Sequence, residues 1–334
     1  MNDNFNPVKQ HTFLLNWLTL IFILVLAMIV IGGITRITDS GLSMVEWRPI
    51  LGFLPPLNNQ EWERVFNLYK NTPEYSYYNK GMLLSDFKFI FFWEYFHRLW
   101  GRIIGVVFII PFAFLVITQK IERYITIRLL VILFFGSLQA FIGWWMVKSG
   151  LIDKPDVSQY RLAIHFGNSL LILFLIFWLI LDLKNKKSKI KFDLNLIIFL
   201  ILFITIIAGS LVAGMDAGLM YNTYPLMNDS FFPIDYLSLG ILDPFENPGS
   251  AQFHHRHLGL ISLIAIGIFF VKNLYKKVFL ELLFLIVLII IQFLLGVYIL
   301  LNYVPNLNAS LHQIGAVLIF LTMIKIIHTL NIKT

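Results

Sequence analysis

The sequence predicts an all-α polytopic membrane protein whose eight transmembrane helices form two tandem, pseudo-symmetric four-helix bundles. Three observations lead there. Hydrophobic residues fill 58% of 334 positions and charged residues only 13%. The apolar runs exceed the roughly 18 residues that a bilayer-crossing helix requires. The second half of the chain repeats the order of parts found in the first.

Apolar runs and their breaks predict spans at 12–34, 89–118, 126–147, 160–182, 194–214, 252–271, 278–301 and 309–330. The first run is long and no small-residue cleavage site follows it, so a retained helix is expected rather than a removed signal peptide. The absence of cysteine excludes disulfides, thiolate metal sites and cysteine nucleophiles. The net charge of +7 is arranged by topology and is no nucleic-acid footprint. Lys120, Arg123 and Arg128 occupy one connection; Lys184, Lys186, Lys187, Lys189 and Lys191 another; Lys272, Lys276 and Lys277 a third; and Lys333 ends the series. The positive-inside rule assigns these connections, and both termini, to the cytoplasm. The connection at 215–251 carries Asp216, Asp229, Asp235, Asp243 and Glu246 with no lysine or arginine, and belongs on the opposite side. With only Lys9 basic before the first span, the amino terminus does not resemble a mitochondrial transit peptide, which favours a bacterial membrane.

The repeat organises the chain. The first span ends in Gly32-x6-Asp39-x-Gly41-Leu42 and the fifth in Gly209-x6-Asp216-x-Gly218-Leu219. A proline follows each, Pro49 or Pro225, and then a long outer loop leads into the second helix of that half. The third helices match through Gln139-x3-Gly143 and Gln292-x3-Gly296. Two halves are therefore expected, 1–183 and 194–334, joined by the basic cytoplasmic linker 184–193. An even number of spans per half makes the repeat parallel rather than inverted.

Four histidines occupy matched places in this plan. Glu94-Tyr95-Phe96-His97-Arg98 is echoed by Gln252-Phe253-His254-His255-Arg256, and each half carries one further intramembrane histidine, His165 or His312. All four lie on spans that start at the outer face, within roughly 5–15 Å of it at about 1.5 Å per residue. Ionisable groups inside spans are costly and mark functional sites. A bundle interior can hold a planar macrocycle between facing helices, with one imidazole from each on its iron, so the pattern suits two heme pockets. Gly101 and Gly105 after His97, and Gly259 after His255, clear space on the ligand's own face.

Two other readings stand beside it. Single histidines can bond neighbouring helices, and zinc or copper sites draw several ligands into one cluster rather than one pair per half. His254 and His257 point away from His255 on the helix and read as interfacial or supporting groups. His11 and His328, near the cytoplasmic ends, receive no role. Arg98 and Arg256 suit the paired N–H recognition of heme propionates, or else snorkel to water and lipid phosphate. Arg102 and Arg36 are further candidates.

The halves differ at one telling place. Glu94 lies one helical turn before His97 and shares its face, whereas its counterpart is Gln252. A carboxylate accepts a proton or stabilises a cation where an amide does neither; Glu94 does this, or it simply pairs with Arg98. The duplication thus reads as one reactive pocket, in the first half, and one electron-transfer or structural heme in the second.

Three segments carry a resemblance: Asp39-Ser40-Gly41-Leu42-Ser43-Met44-Val45-Glu46-Trp47-Arg48-Pro49, Glu94-Tyr95-Phe96-His97-Arg98-Leu99-Trp100-Gly101-Arg102, and Gln252-Phe253-His254-His255-Arg256. With the eight-span plan, they resemble the heme A synthase family along essentially the whole chain, in its cysteine-lacking proteobacterial and mitochondrial branch. His254 stands where that family carries an acidic residue. The resemblance implies oxidation of the C8 methyl of heme O to a formyl group by two successive hydroxylations, giving heme A for cytochrome c oxidase. It implies a resident heme B on His255 and His312, substrate heme iron at His97 and His165, and an essential glutamate at Glu94. It also implies a heme O synthase as partner and a bacterial inner membrane with the heme sites toward the periplasm. The alternative is a diheme b-type electron-transfer protein that leaves its hemes unaltered; a parallel-repeat transporter ranks third. The sequence names no electron acceptor, and it is compatible with a homo-oligomer.

Overall fold

A computed structural model describes residues 7–48, 51–118, 121–152 and 155–332. Pro49, Lys120 and Lys333 lie outside these residues, as does the side chain of Lys9. All eight expected spans are helices long and apolar enough to cross a membrane. Among the described residues there is no β-strand.

In chain order the helices are α1 (Pro7–Ile37), α2 (Asn59–Lys70), α3 (Pro73–Tyr77), α4 (Leu84–Ile117), α5 (Arg123–Gly150) and α6 (Gln159–Lys184), then α7 (Leu194–Gly214), α8 (Asp243–Glu246), α9 (Pro248–Asn273), α10 (Phe279–Leu301) and α11 (Asn306–Asn331). The short helices α2, α3 and α8 fall in the two long connections that precede α4 and α9, where hydropathy carries no signal. Local chemistry explains them. The Asn58 side chain accepts from Glu61 N to start α2, and Thr72 accepts from Tyr75 N ahead of Pro73 to start α3. Asp193 and Asn247 cap α7 and α9 in the same way.

One of the boundary differences from the expectation bears on the site. The helix bearing His97 starts at Leu84, not 89, so His97 sits roughly 20 Å along it at 1.5 Å per residue. The extra turn, Leu-Ser-Asp-Phe-Lys, is too polar for hydropathy to include. It is held by Phe87, which is fully buried against Phe66 and Tyr69 of α2.

The chain divides into two compact units: residues 1–161 with 171–180, and residues 162–170 with 181–334. In the first, α1 and α4 pack as an antiparallel pair and the α2–α3 segment sits on the start of α4. In the second, α7 packs on α9, α9 on α10 and α10 on α11. There the buried His328 Nε2 meets Asp182 Oδ1 at 2.9 Å, and Ser188 N donates to the same oxygen at 3.0 Å. This pins the basic segment after α6 to the end of α11, which gives His328 a structural place.

The α1–α4 seam solves a backbone problem set by the sequence. Pro111 inside α4 has no N–H to give the carbonyl four residues earlier, and no water in the bilayer core replaces it. That carbonyl belongs to Val107, and the Trp17 indole Nε1 of α1 donates to it at 2.8 Å. Trp17→Phe should therefore destabilise the protein by about 1–2 kcal/mol in detergent. Adding Pro111→Ala, which restores the intrahelical donor, should recover much of that loss. Thermal unfolding of the single and double variants checks the coupling.

Candidate functional site

His255 projects from α9 toward α7. A Cβ at Gly209 of α7 would lie 2.9 Å from His255 Cε1, so only glycine lets the helices approach at this level. Thr205 O lies 3.2 Å from His255 Nδ1. A carbonyl can only accept, so Nδ1 carries the proton and Nε2 keeps its lone pair. The His312 ring stands 6.5 Å from it, centre to centre, and nearly perpendicular at 85°. His312 is backed in turn by Gly296 of α10, whose Cβ would fall 3.0 Å from its Cε1, and Gln292 Nε2 donates to the His312 carbonyl at 2.8 Å. His312 Nδ1 is buried without a hydrogen-bond partner.

This pair fits a heme iron. Metal–nitrogen bonds of about 2 Å put two imidazoles on one iron with ring centres roughly 6 Å apart. The observed separation is close to that, one ring is oriented by a backbone carbonyl, and the other has a buried nitrogen with no protein partner. Among the described residues no three His, Asp or Glu side chains converge as a metal cluster.

His97 is set up similarly on α4. A Cβ at Gly32 of α1 would lie 3.1 Å from His97 Cε1. Thr35 Oγ1 donates to Ile31 O at 2.9 Å and lies 3.4 Å from His97 Nδ1, so its lone pair faces an Nδ1–H. Nε2 is again the nitrogen without a proton. His165 lies on the part of α6 that belongs to the second unit. Gly105 and Gly259 face open space, as expected for residues that clear room, whereas a Cβ at Gly101 would touch Met28 at 3.4 Å.

Glu94 is 3% exposed. Its Oε2 accepts from Ser43 Oγ at 2.7 Å and from the backbone N–H of Met44 at 2.6 Å, and its Oε1 pairs with Arg98 one turn on. Arg98 also donates to Met44 O at 2.9 Å and Glu46 O at 3.2 Å, and lies over the Trp47 ring. The loop after α1 is thereby folded onto α4. Outside the membrane, the Arg64 fork at 3.1 Å holds the Glu46 carboxyl below the usual carboxylate range, and Arg48 adds to this.

Gln252 occupies the matching place with reversed polarity. Its Nε2 donates to Gly218 O at 3.2 Å and Tyr221 O at 3.1 Å, and Arg256 donates to its Oε1 at 3.3 Å. Arg256 also binds Tyr221 O at 2.7 Å and Thr223 O at 3.0 Å, with its Nε buried and unpartnered. Both arginines thus clamp an outer loop, and Arg256 Nε is the guanidinium N–H left for an anionic group. Arg36 pairs with Asp39 and Arg102 donates to Arg48 O, so both are also engaged with the loop after α1. His257 Nδ1 lies 2.8 Å from Phe253 O, and its ring packs on that of Phe253.

Sequence reasoning missed the small partners: Thr35, Thr205, Ser43 and the three backing glycines. The repeated motif did contain a signal, because Gly32 and Gly209 are its first residues. Its aspartates also correspond, with Asp39 and Asp216 both in the left-handed region at φ 46° and 48°. Gly209→Val should force the His255 ring aside and lower the heme retained per chain, read by absorbance of purified protein. Gly267→Ala, more than three turns beyond His255 on α9 and facing open space, should leave heme content unchanged.

Comparison with known proteins assigns the chain to a family. Residues 15–324 match the COX15-CtaA family, described as cytochrome oxidase assembly protein. A Nitrosospira multiformis protein named heme A synthase is 42% identical over 332 residues, covering 94% of this chain and 92% of that one. Proteins of the same name from Wolbachia pipientis wMel and Pelagibacter ubique are 43% and 41% identical, covering 91% and 93% of this chain and 89% and 95% of their own. With the match running from the first membrane helix into the last, the chain belongs to the COX15-CtaA family of cytochrome oxidase assembly proteins.

Proposed function

We propose that the chain is a heme A synthase, which oxidises the C8 methyl of heme O to a formyl group by two hydroxylations and loss of water from the resulting diol. One observation carries the choice over a diheme electron-transfer protein. In two otherwise similar settings, the residue one turn before the histidine is a buried carboxylate in one half and an amide in the other. Residues 1–183 are then the reacting half and residues 194–334 the half with the resident cofactor, joined by the basic linker 184–193.

His255 and His312 would hold heme B, with Arg256 near its propionates; His97 and His165 would hold the substrate heme, with Arg98 nearby. Bound heme B supplies one-electron redox chemistry. The chain's own residues do the rest. Gly32 and Thr35 fix the ring and tautomer of His97, and with them the position of the substrate. Ser43, Met44 N and Arg98 hold the Glu94 carboxyl aimed in a site shielded from water. Each hydroxylation adds a water-derived oxygen to the carbon and releases two electrons and two protons; the electrons go to an acceptor outside this chain, and the Glu94 carboxylate accepts one proton and water the other.

The basic connections support a bacterial inner membrane, both termini in the cytoplasm and heme sites toward the periplasm. Heme O is insoluble in water, which supports direct delivery by a heme O synthase within the membrane.

Hemes extracted from the purified protein should include heme O, heme A or a hydroxylated intermediate beside heme B. Extraction of heme B alone, from cells that make heme O, would favour the electron-transfer reading. Glu94→Gln, which copies the second half, should lower turnover about a hundredfold or more with heme B content retained. Glu94→Asp should recover part of it; full turnover in Glu94→Gln would remove the proposed role.

A further inference from the structure

Trp93 immediately precedes Glu94 on α4, and its indole takes no part in the clamp that holds that carboxyl. The indole Nε1 is buried without a hydrogen-bond partner. Two other tryptophans of the α1–α4 pair use this N–H across the seam: Trp17 donates to Val107 O at 2.8 Å and Trp100 to Leu24 O at 2.9 Å. An indole N–H can only donate, and an unpaired one away from water is costly. Such a donor marks a place for an acceptor oxygen.

The helix aims this donor beside the proposed substrate ligand. Trp93, His97 and Trp100 succeed one another at four and three residues and so form one stripe of α4. His97 lies against Gly32 and Trp100 reaches Leu24 O, so the stripe faces α1. At about 3.6 residues per turn, Trp93 and Glu94 fall on opposite flanks of the His97 direction, each one turn before it. One flank carries a carboxyl and the other an unpaired N–H. The Trp93 ring is held by Phe92 at 5.5 Å and Phe96 at 6.5 Å, and Phe96 in turn meets Trp100 at 5.7 Å.

The repeat shows that this pairing belongs to one half. In the second half the counterpart of Trp93 is Ala251, which is 3% exposed, just as that of Glu94 is Gln252. The histidine and the arginine that follow are the same in both halves, His97 and Arg98 against His255 and Arg256. The halves therefore agree at the ligand and its arginine and differ at both residues that flank the ligand one turn before it.

We propose that the Trp93 indole N–H is the donor for the oxygen placed on the C8 carbon of the substrate heme. It holds the hydroxymethyl group for the second oxidation and then the formyl group of the product. This role rests on the heme A synthase reading, which puts the substrate heme at His97. The acceptor is a neutral oxygen, because a propionate at the indole would set a second anionic group beside Glu94. A hydroxyl bound through its lone pair at Trp93 leaves its O–H for the carboxyl on the other flank. The indole forms no bond to carbon and neither gains nor loses a proton. The C8 methyl of heme O offers it no acceptor, so the contact arises only after the first hydroxylation and favours the steps that follow.

Resonance Raman spectroscopy of the full-length protein, carrying its resident heme and heme A at the substrate site, reads the formyl C=O stretch directly. In wild type the stretch should lie below that of heme A in a solvent that donates no hydrogen bond. Trp93→Phe keeps an aromatic ring without the donor and should return the stretch to that free value, with resident heme content unchanged. It should also slow the second oxidation about tenfold, so that hydroxymethyl heme accumulates over heme A. Trp93→Leu gives the same comparison if Trp93→Phe protein holds no substrate heme. A wild-type stretch at the free value overturns the proposal without any variant. A lowered stretch that survives loss of the indole overturns it too, leaving Trp93 a packing residue. So does a change confined to the propionate bands, since the donor then serves a carboxylate. Wild-type protein that converts no heme O overturns the synthase reading and this role together, whatever the stretch.

Discussion

The clamp between Glu94, Arg98 and the loop after α1 is the interaction on which the candidate reactive site depends. A carboxylate that is 3% exposed is tolerable only with its charge matched and both oxygens occupied. Arg98 answers the charge, and Ser43 Oγ and Met44 N satisfy the second oxygen. Arg98 then spends its remaining N–H groups on Met44 O and Glu46 O. One buried ion pair therefore fixes both the path of the loop and the aim of the carboxylate.

Within each unit, helix approach is set by glycine. Gly32, Gly209 and Gly296 each sit where a methyl group would press on a histidine ring. Close helices leave the rings little freedom, and Thr35 and Thr205 O select the tautomer. Rings held in this way are ready to accept a metal with little loss of conformational entropy. The membrane sharpens the constraint, because polar groups inside it must find partners in the protein; Trp17 and Val107 O are the case in which a proline made one necessary.

The bundle was legible in the residues because lipid acts on composition directly. Eight apolar runs became eight helices, and the Gly-x6-Asp motif located residues that prove to lie against His97 and His255. Leu84–Lys88 escaped that reading because its helix is stabilised by aromatic packing with α2, which no hydropathy window senses. Glu74 escaped for a related reason. A glutamate between Pro73 and Tyr75 in a polar loop looks solvated until the loop folds over Tyr69. The pairing of Glu94 with Arg98 was readable from their four-residue spacing, but not the two loop donors that hold its other oxygen.

By itself the sequence determined the class of the protein, its eight spans, the four histidines and the exchange of Glu94 for Gln252, because periodicity, composition and repetition are local properties of a chain. Tertiary structure alone decided the perpendicular approach of His255 and His312, the proton position on the His255 ring, the donors to Glu94 and the burial of Glu74. Those depend on residues tens to more than a hundred positions apart meeting within hydrogen-bond distance. Spacing along a chain does not encode such meetings; close packing of helices and the cost of leaving a buried polar group unpaired do.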